Sequence, residues 1–174
     1  MANGTTFDPI NGRFFDQRIK VPVVVCQEEV QEVGDLEIPA PVGVTFDPVT
    51  GLLEQIVTLV ATGLPVLTTT TVLPGKIVNQ GFVPVSLFVN GVETVTGLTI
   101  PFQGEIECPG VVPGPGVIVQ KHDVQIEGFS VGAFTTTVAG VTTVTLVLKV
   151  VLALCLIVAR ETIIKVNAAE VFCR

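Results

Sequence analysis

The sequence predicts an all-β chain: a β-sandwich or barrel-like domain with an extended N-terminal arm. Three observations predict it. From Val144 to Val158 every even position is Val or Leu, and that two-residue parity is a strand signature. Val and Thr dominate the apolar runs, and such β-branched residues favour extended backbone. Turn residues recur at short intervals between those runs, as they do in sandwiches and barrels.

Taken in order, residues 1–20 form the arm and residues 21–174 the β-rich domain. Candidate strands run over Ile19–Cys26, Leu53–Thr62, Val66–Leu73, Lys76–Val89, Glu93–Ile100, Phe102–Cys108, Val117–Glu127, Phe129–Val138, Val144–Val158 and Thr162–Ala168. Ala40-Pro41, Gly63-Leu64-Pro65, Pro74-Gly75, Asn90-Gly91 and Cys108-Pro109-Gly110 separate them. Asn90-Gly91 between apolar flanks is a hairpin turn, because both residues accept positive φ. Four consecutive Thr at Thr68 to Thr71 suit a strand and not a helix. Pro109 to Gly116 alternates Pro and Gly with Val and reads as a loop. The even face of Val144–Val158 should be core. A strand of that length, about 50 Å, is expected to bend or cross between sheets. A helix over Leu148–Ala159 is the competing reading. Thr6-Phe7-Asp8-Pro9 is echoed by Thr45-Phe46-Asp47-Pro48, each followed by a Gly three residues on, as in a strand–turn–strand element.

Composition narrows the function. Of 174 residues, 48% are apolar and only 14% charged, against about 25% charged in an average domain. That excludes disorder. It also leaves more apolar surface than a lone molecule readily hides, so another copy of the chain or a membrane is expected to cover part of it. The net charge is −7 with no basic cluster, which argues against nucleic-acid binding. Trp and Tyr are absent, which limits stacking platforms for sugars or bases to ten Phe. The polar start Met1-Ala2-Asn3-Gly4 shows no signal-peptide pattern. Lys149 interrupts the apolar C-terminal region, so no membrane span is expected.

Residues with chemistry are few. His122 is the only histidine, and neither Ser86 nor Ser130 has a nucleophile elbow around it. No enzyme is expected. Glu28, Glu29, Glu32, Asp35 and Glu37 read as a solvated acidic face; a calcium site is the alternative, but their spacing matches no known calcium loop. Glu105 and Glu107 share one exposed strand face. Cys26, Cys108, Cys155 and Cys173 form no C-x-x-C pair, so no metal or other cofactor is expected. Cys155 reads as a small buried hydrophobe. Cys26 and Cys173 are candidates for a disulfide between subunits, with free thiols the alternative.

Several segments, in order, resemble the SPOCS-domain family of spore-associated proteins from Firmicute bacteria. Val21-Pro22-Val23-Val24-Val25 resembles that family's opening strand. Leu73 to Val83, around Lys76-Ile77-Val78-Asn79-Gln80-Gly81, is similar to its K-V-I-x-x-G segment. Val95 to Phe102 and the Pro109 to Gly114 loop follow in the family's order. Val144 to Val151, with Lys149, resembles a late v-x-L-K-V strand. Residues 1–20 are extra, and no sugar-binding LysM-like segment is present. The resemblance implies a non-enzymatic module of a spore envelope. With the composition, it leads to the expectation of a self-assembling structural subunit of an extracellular or spore-surface filament, tube or layer. Strand addition would join the subunits, with Phe7, Phe14, Phe15, Val23, Val24 and Val25 docking into a neighbour. The alternative is a binding module that recruits coat or cell-wall components without polymerising.

Overall fold

The computed structural model describes residues 15–47 and 49–168. These form nine strands and no helix: β1 (Phe15–Pro39), β2 (Phe46–Asp47), β3 (Leu52–Leu53), β4 (Val57–Ala61), β5 (Val66–Leu73), β6 (Lys76–Val89), β7 (Val92–Glu107), β8 (Val117–Val138) and β9 (Val141–Ala168). The fold is all-β and sandwich-like. Seven strands make one antiparallel sheet in the order β4-β6-β7-β1-β9-β8, with β5 beside the other half of the β6 edge that β4 uses; β2 and β3 form a small hairpin. Two blocks are visible within the sheet. β1, β9 and β8 pair along long ladders. β4 to β7 form the other block. They join at one ladder pair, Gly34 with Phe102. The sheet curls until β4 approaches β8, but no ladder closes it.

The parity of β9 sets the core. Leu146, Leu148, Val150, Leu152, Leu154, Leu156 and Val158 are all fully buried, as their even spacing predicted. They face β6 and β7, where Ile77, Val83, Val85, Leu87, Ile100 and Ile106 are likewise closed off from solvent. The helix reading of Leu148–Ala159 is therefore excluded. β9 does not cross between sheets, one of the two outcomes its length suggested; it lies between β1 and β8 from Thr145 to Arg160 and pairs with only one of them at either end.

Several predicted breaks are absent. The pairs Glu93–Ile100 and Phe102–Cys108, Phe129–Val138 and Val117–Glu127, and Val144–Val158 and Thr162–Ala168 each merge into one strand. Pro101 fits inside β7, and β8 runs through bulges at Val119/Lys121 and Ile126/Gly128 that absorb an extra residue without ending the pairing. The acidic run is also strand: β1 continues to Pro39. Asn90 and Gly91 turn the β6–β7 hairpin at φ 51° and 81°, the geometry expected of that pair. Asp47 caps the β2–β3 turn, accepting from the Val49 N–H and the Thr50 hydroxyl. The earlier copy of that motif, including Phe7, lies outside the described residues.

Candidate functional site: assembly surfaces and a polar layer in the core

β1 and β9 outrun the body of the protein. β8 begins at Val117, opposite Arg160. From there Phe15–Pro22 and Glu161–Ala168 continue as a ribbon of two strands. A bulge between Val24 and Cys26 gives β1 one extra residue and reverses its parity. Even residues of β1 face the core after the bulge. Before it, the odd residues Ile19, Val21 and Val23 continue the core-facing side, opposite Ile164, Thr162 and Arg160. The other side carries Arg18 and Lys20, opposite Lys165 and Ile163. One side of the ribbon is thus mainly apolar, and the other mixes Arg18, Lys20 and Lys165 with Glu161, which pairs with Lys20 at 3.1 Å. Ile19, Val23, Val24, Ile163 and Ile164 are exposed, Val24 at 54%. Among the described residues no third strand pairs with this part of β1 and β9, and a two-stranded ribbon alone is marginal in water.

The opposite end has a second protrusion. β1 ends at Pro39, opposite Thr145. β8 and β9 go on as a hairpin through Thr135, Thr136, Thr137, Thr142 and Thr143 to a turn at Ala139-Gly140. Along the body, β8 is the outermost strand of the sheet order, and its second edge pairs with no strand among the described residues.

The predicted docking residues fall on this framework unevenly. Val23 and Val24 lie exposed at the base of the ribbon, and Val25 is the half-buried bulge residue. Phe15 opens β1, opposite Ala168. Phe7 and Phe14 lie outside the described residues, as does Cys173. Cys26 is not available for a link to another subunit. It is bonded to Cys108 within the chain, Cα to Cα 5.7 Å, tying β1 to the residue that follows β7. The sequence left this pairing open because 82 positions separate the two residues. Cys155 is free, and it is half-buried on the odd face of β9, opposite Glu29 and Asp123, rather than in the core.

The interior contains polar groups that the sequence reading missed. Asn79 on β6 is fully buried; Gly104 is its partner on β7. Glu32 on β1 is 5% exposed, and its side chain lies over Gly104, where any Cβ would overlap it. Glu28, Glu29, Asp35 and Glu37 are solvated as expected; Glu32 is the exception, because it stands on the core side of β1 as Glu28 does but is also covered by β7, its side chain lying over Gly104. The Asn79 Oδ1 accepts from the Thr70 hydroxyl at 3.1 Å and lies 3.1 Å from His122 Nε2. The Asn79 amide nitrogen and both Glu32 carboxylate oxygens have no hydrogen-bond partner. The layer separates two apolar clusters, one around Val83, Leu148 and Phe102, the other around Ile77, Ile106 and Leu154. Burial raises the Glu32 pKa and lowers that of His122, so both favour their neutral forms. His122 also borders a cleft of about 520 Å³ with Leu64, Pro65, Leu67, Val124 and Ile126. Ser86 is buried opposite Val60, and Ser130 stands opposite Lys149, so neither joins His122 as a nucleophile. Glu105 is exposed as expected and pairs with Lys76 at 2.9 Å. No group of three or more His, Cys, Asp or Glu among the described residues could hold a metal ion. Among the described residues no helix is long and apolar enough to cross a membrane.

The overlap at Gly104 has a direct test. Gly104→Ala is expected to cost roughly 1–3 kcal/mol through overpacking. Adding Glu32→Ala should recover most of that loss in thermal melts. Additive effects of the two changes would mean that the Glu32 side chain does not occupy this space.

Comparison with protein-family models, with curated proteins and with solved structures gives no match.

Proposed function

We propose that this chain is a structural, self-assembling subunit, polymerising by strand addition between copies in an extracellular or spore-surface filament, tube or layer. The observation that carries the reading is the two-stranded ribbon: it projects past the core with Ile19, Val23, Val24, Ile163 and Ile164 exposed. A ribbon of this kind gains stability when a neighbour covers it, as strands added to another subunit's sheet do. The open edge of β8 is a surface on which main-chain groups of another copy can pair. The Cys26–Cys108 disulfide fits an oxidising compartment. The resemblance of Val21–Val25, Leu73–Val83 and Val144–Val151 to SPOCS-domain segments agrees with a spore envelope.

The test is negative-stain microscopy of the purified chain beside a form lacking residues 1–20. The full chain is expected to form polymers and the truncated one to stay dispersed. Polymers of the truncated chain would exclude strand addition through residues 1–20 as the joining mechanism. A full chain that elutes as a monomer and shows no polymers would leave the recruiting module as the better reading.

A further inference from the structure

We infer that the β1 strand of one copy's ribbon seats in the cleft between β5 and β8 of a second copy; this rests on the assembly reading above. The cleft lies where the curled sheet fails to close. β4 ends at Ala61 and β5 starts at Val66, so the ladder along β6 is interrupted, and Leu64 and Pro65 in that gap form one rim. His122 to Ile126 of β8 form the other rim. Among the described residues, no strand pairs with the second edge of β5 or of β8. Lys121 to Ile126 pair with β9 residue for residue between two bulges, so the outer edge of this stretch is a regular template for one more strand. The side chains on the two banks are incompletely covered. Leu67, Val124 and Ile126 pack against the core yet stay half-buried, and Leu64 is 84% exposed. Leu152, Leu154 and Leu156 of β9, opposite this stretch, are closed off from solvent.

An occupant of this cleft has to be extended and apolar at alternate residues. Ile19, Val21 and Val23 of β1 meet both conditions, with Lys20 and Pro22 between them left to face solvent. Their two-residue spacing is that of Val124 and Ile126, so a strand laid beside β8 brings the two apolar rows side by side and covers Leu64 and Leu67 from the open flank. The β9 half of the ribbon fits less well, because Arg160 and Thr162 stand on the same side and a charge would enter an apolar cleft. A chain does not fill its own cleft. Ile19 pairs with Ile164 and His122 with Leu156, so at about 3.3 Å per residue the two sites lie roughly 26 Å apart along β9, and the ribbon leads away from the body. The donor is therefore a second copy. Ribbon and cleft are different surfaces, so each contact leaves one of each free, and growth continues without closing.

The experiment blocks each surface in turn. A ribbon variant carries Ile19→Gln and Val23→Gln, both at exposed positions. A cleft variant carries Leu64→Gln and Leu67→Gln. The replacements are uncharged, so the net charge of −7 is kept. Circular dichroism checks that both variants keep their strands; if the cleft variant does not, Leu64→Gln alone, at its exposed position, takes its place. Each variant by itself is expected to need at least about tenfold more protein to assemble than the unmodified chain, since apolar side chains no longer meet in the contact. An equal mixture should give a dimer of one variant with the other that grows no further, read by light scattering after gel filtration. In that dimer the intact ribbon of the cleft variant enters the intact cleft of the ribbon variant. Assembly of the cleft variant at the unmodified concentration overturns the cleft as acceptor, and the same result for the ribbon variant overturns β1 as donor. A folded mixture that yields no dimer overturns their contact. In these three cases the unmodified chain still polymerises and the assembly reading stands. An unmodified chain that never assembles overturns that reading, and this inference with it.

Discussion

Replacing Cys26 and Cys108 together by alanine is expected to lower the stability of the dispersed chain by about 4.5 kcal/mol. The cross-link closes a loop of 82 positions, and chain-entropy arguments assign about that value to removing such a constraint from the unfolded state. For a domain of this size the melting temperature should fall by about 10–15 °C. Circular dichroism melts of the double variant beside the parent give the value. An unchanged melting temperature would mean that the bond does not form in solution.

The place of the bond makes the loss more than a matter of loop length. The two blocks of the sheet share one ladder pair, Gly34 with Phe102, and no continuous ladder holds β1 to β7. The disulfide is the second tie across that seam. It sits in a cluster with Ile77, Ile106, Val111, Leu154 and Leu156, next to the bulge where β1 leaves the body. Losing it should therefore loosen the root of the ribbon first. Exchange of the amide hydrogens of Val23 to Val30 should speed up before that of β6, since local opening begins where contacts are fewest.

How much of this was legible beforehand depended on range. Strict alternation in β9 revealed a strand and its buried face, because parity is a local property of the chain. Asn90-Gly91 and Pro74-Gly75 located turns for the same reason. Strand ends were less readable: β7 and β8 run through positions that look like breaks, since a paired neighbour can hold Pro101 or a bulge in line. The fate of Glu32 was hidden altogether. One extra residue at Val25 decides which side of β1 faces the core, and nothing local announces a bulge. The partner of Cys26 was hidden too, because it depends on how β1 and β7 meet.

Stability should respond to pH through Glu32 with a definite sign. Burial raises its pKa in the folded chain, so the folded state holds this proton more tightly than the unfolded one. Below the ordinary carboxylate range both states are protonated and folding carries no penalty from this group. As pH rises from that range to the raised folded value, the unfolded state ionises first and stability is lost. His122 acts on the acid side: burial lowers its pKa, so its contribution is present at neutral pH and fades as pH falls through the ordinary imidazole range and on through its lowered folded value. Comparing parent and Glu32→Gln at each pH cancels the histidine term. The variant's advantage should grow as pH rises above the ordinary carboxylate range and level off once the raised folded value is passed. Glu32→Met, which removes a buried group with no partner, should gain about 1–3 kcal/mol at neutral pH. Urea titrations at several pH values measure both effects. A parent that becomes more stable than Glu32→Gln as pH rises would show that the carboxylate is ionised and paired in solution, in conflict with a polar layer that leaves both of its oxygens without a donor.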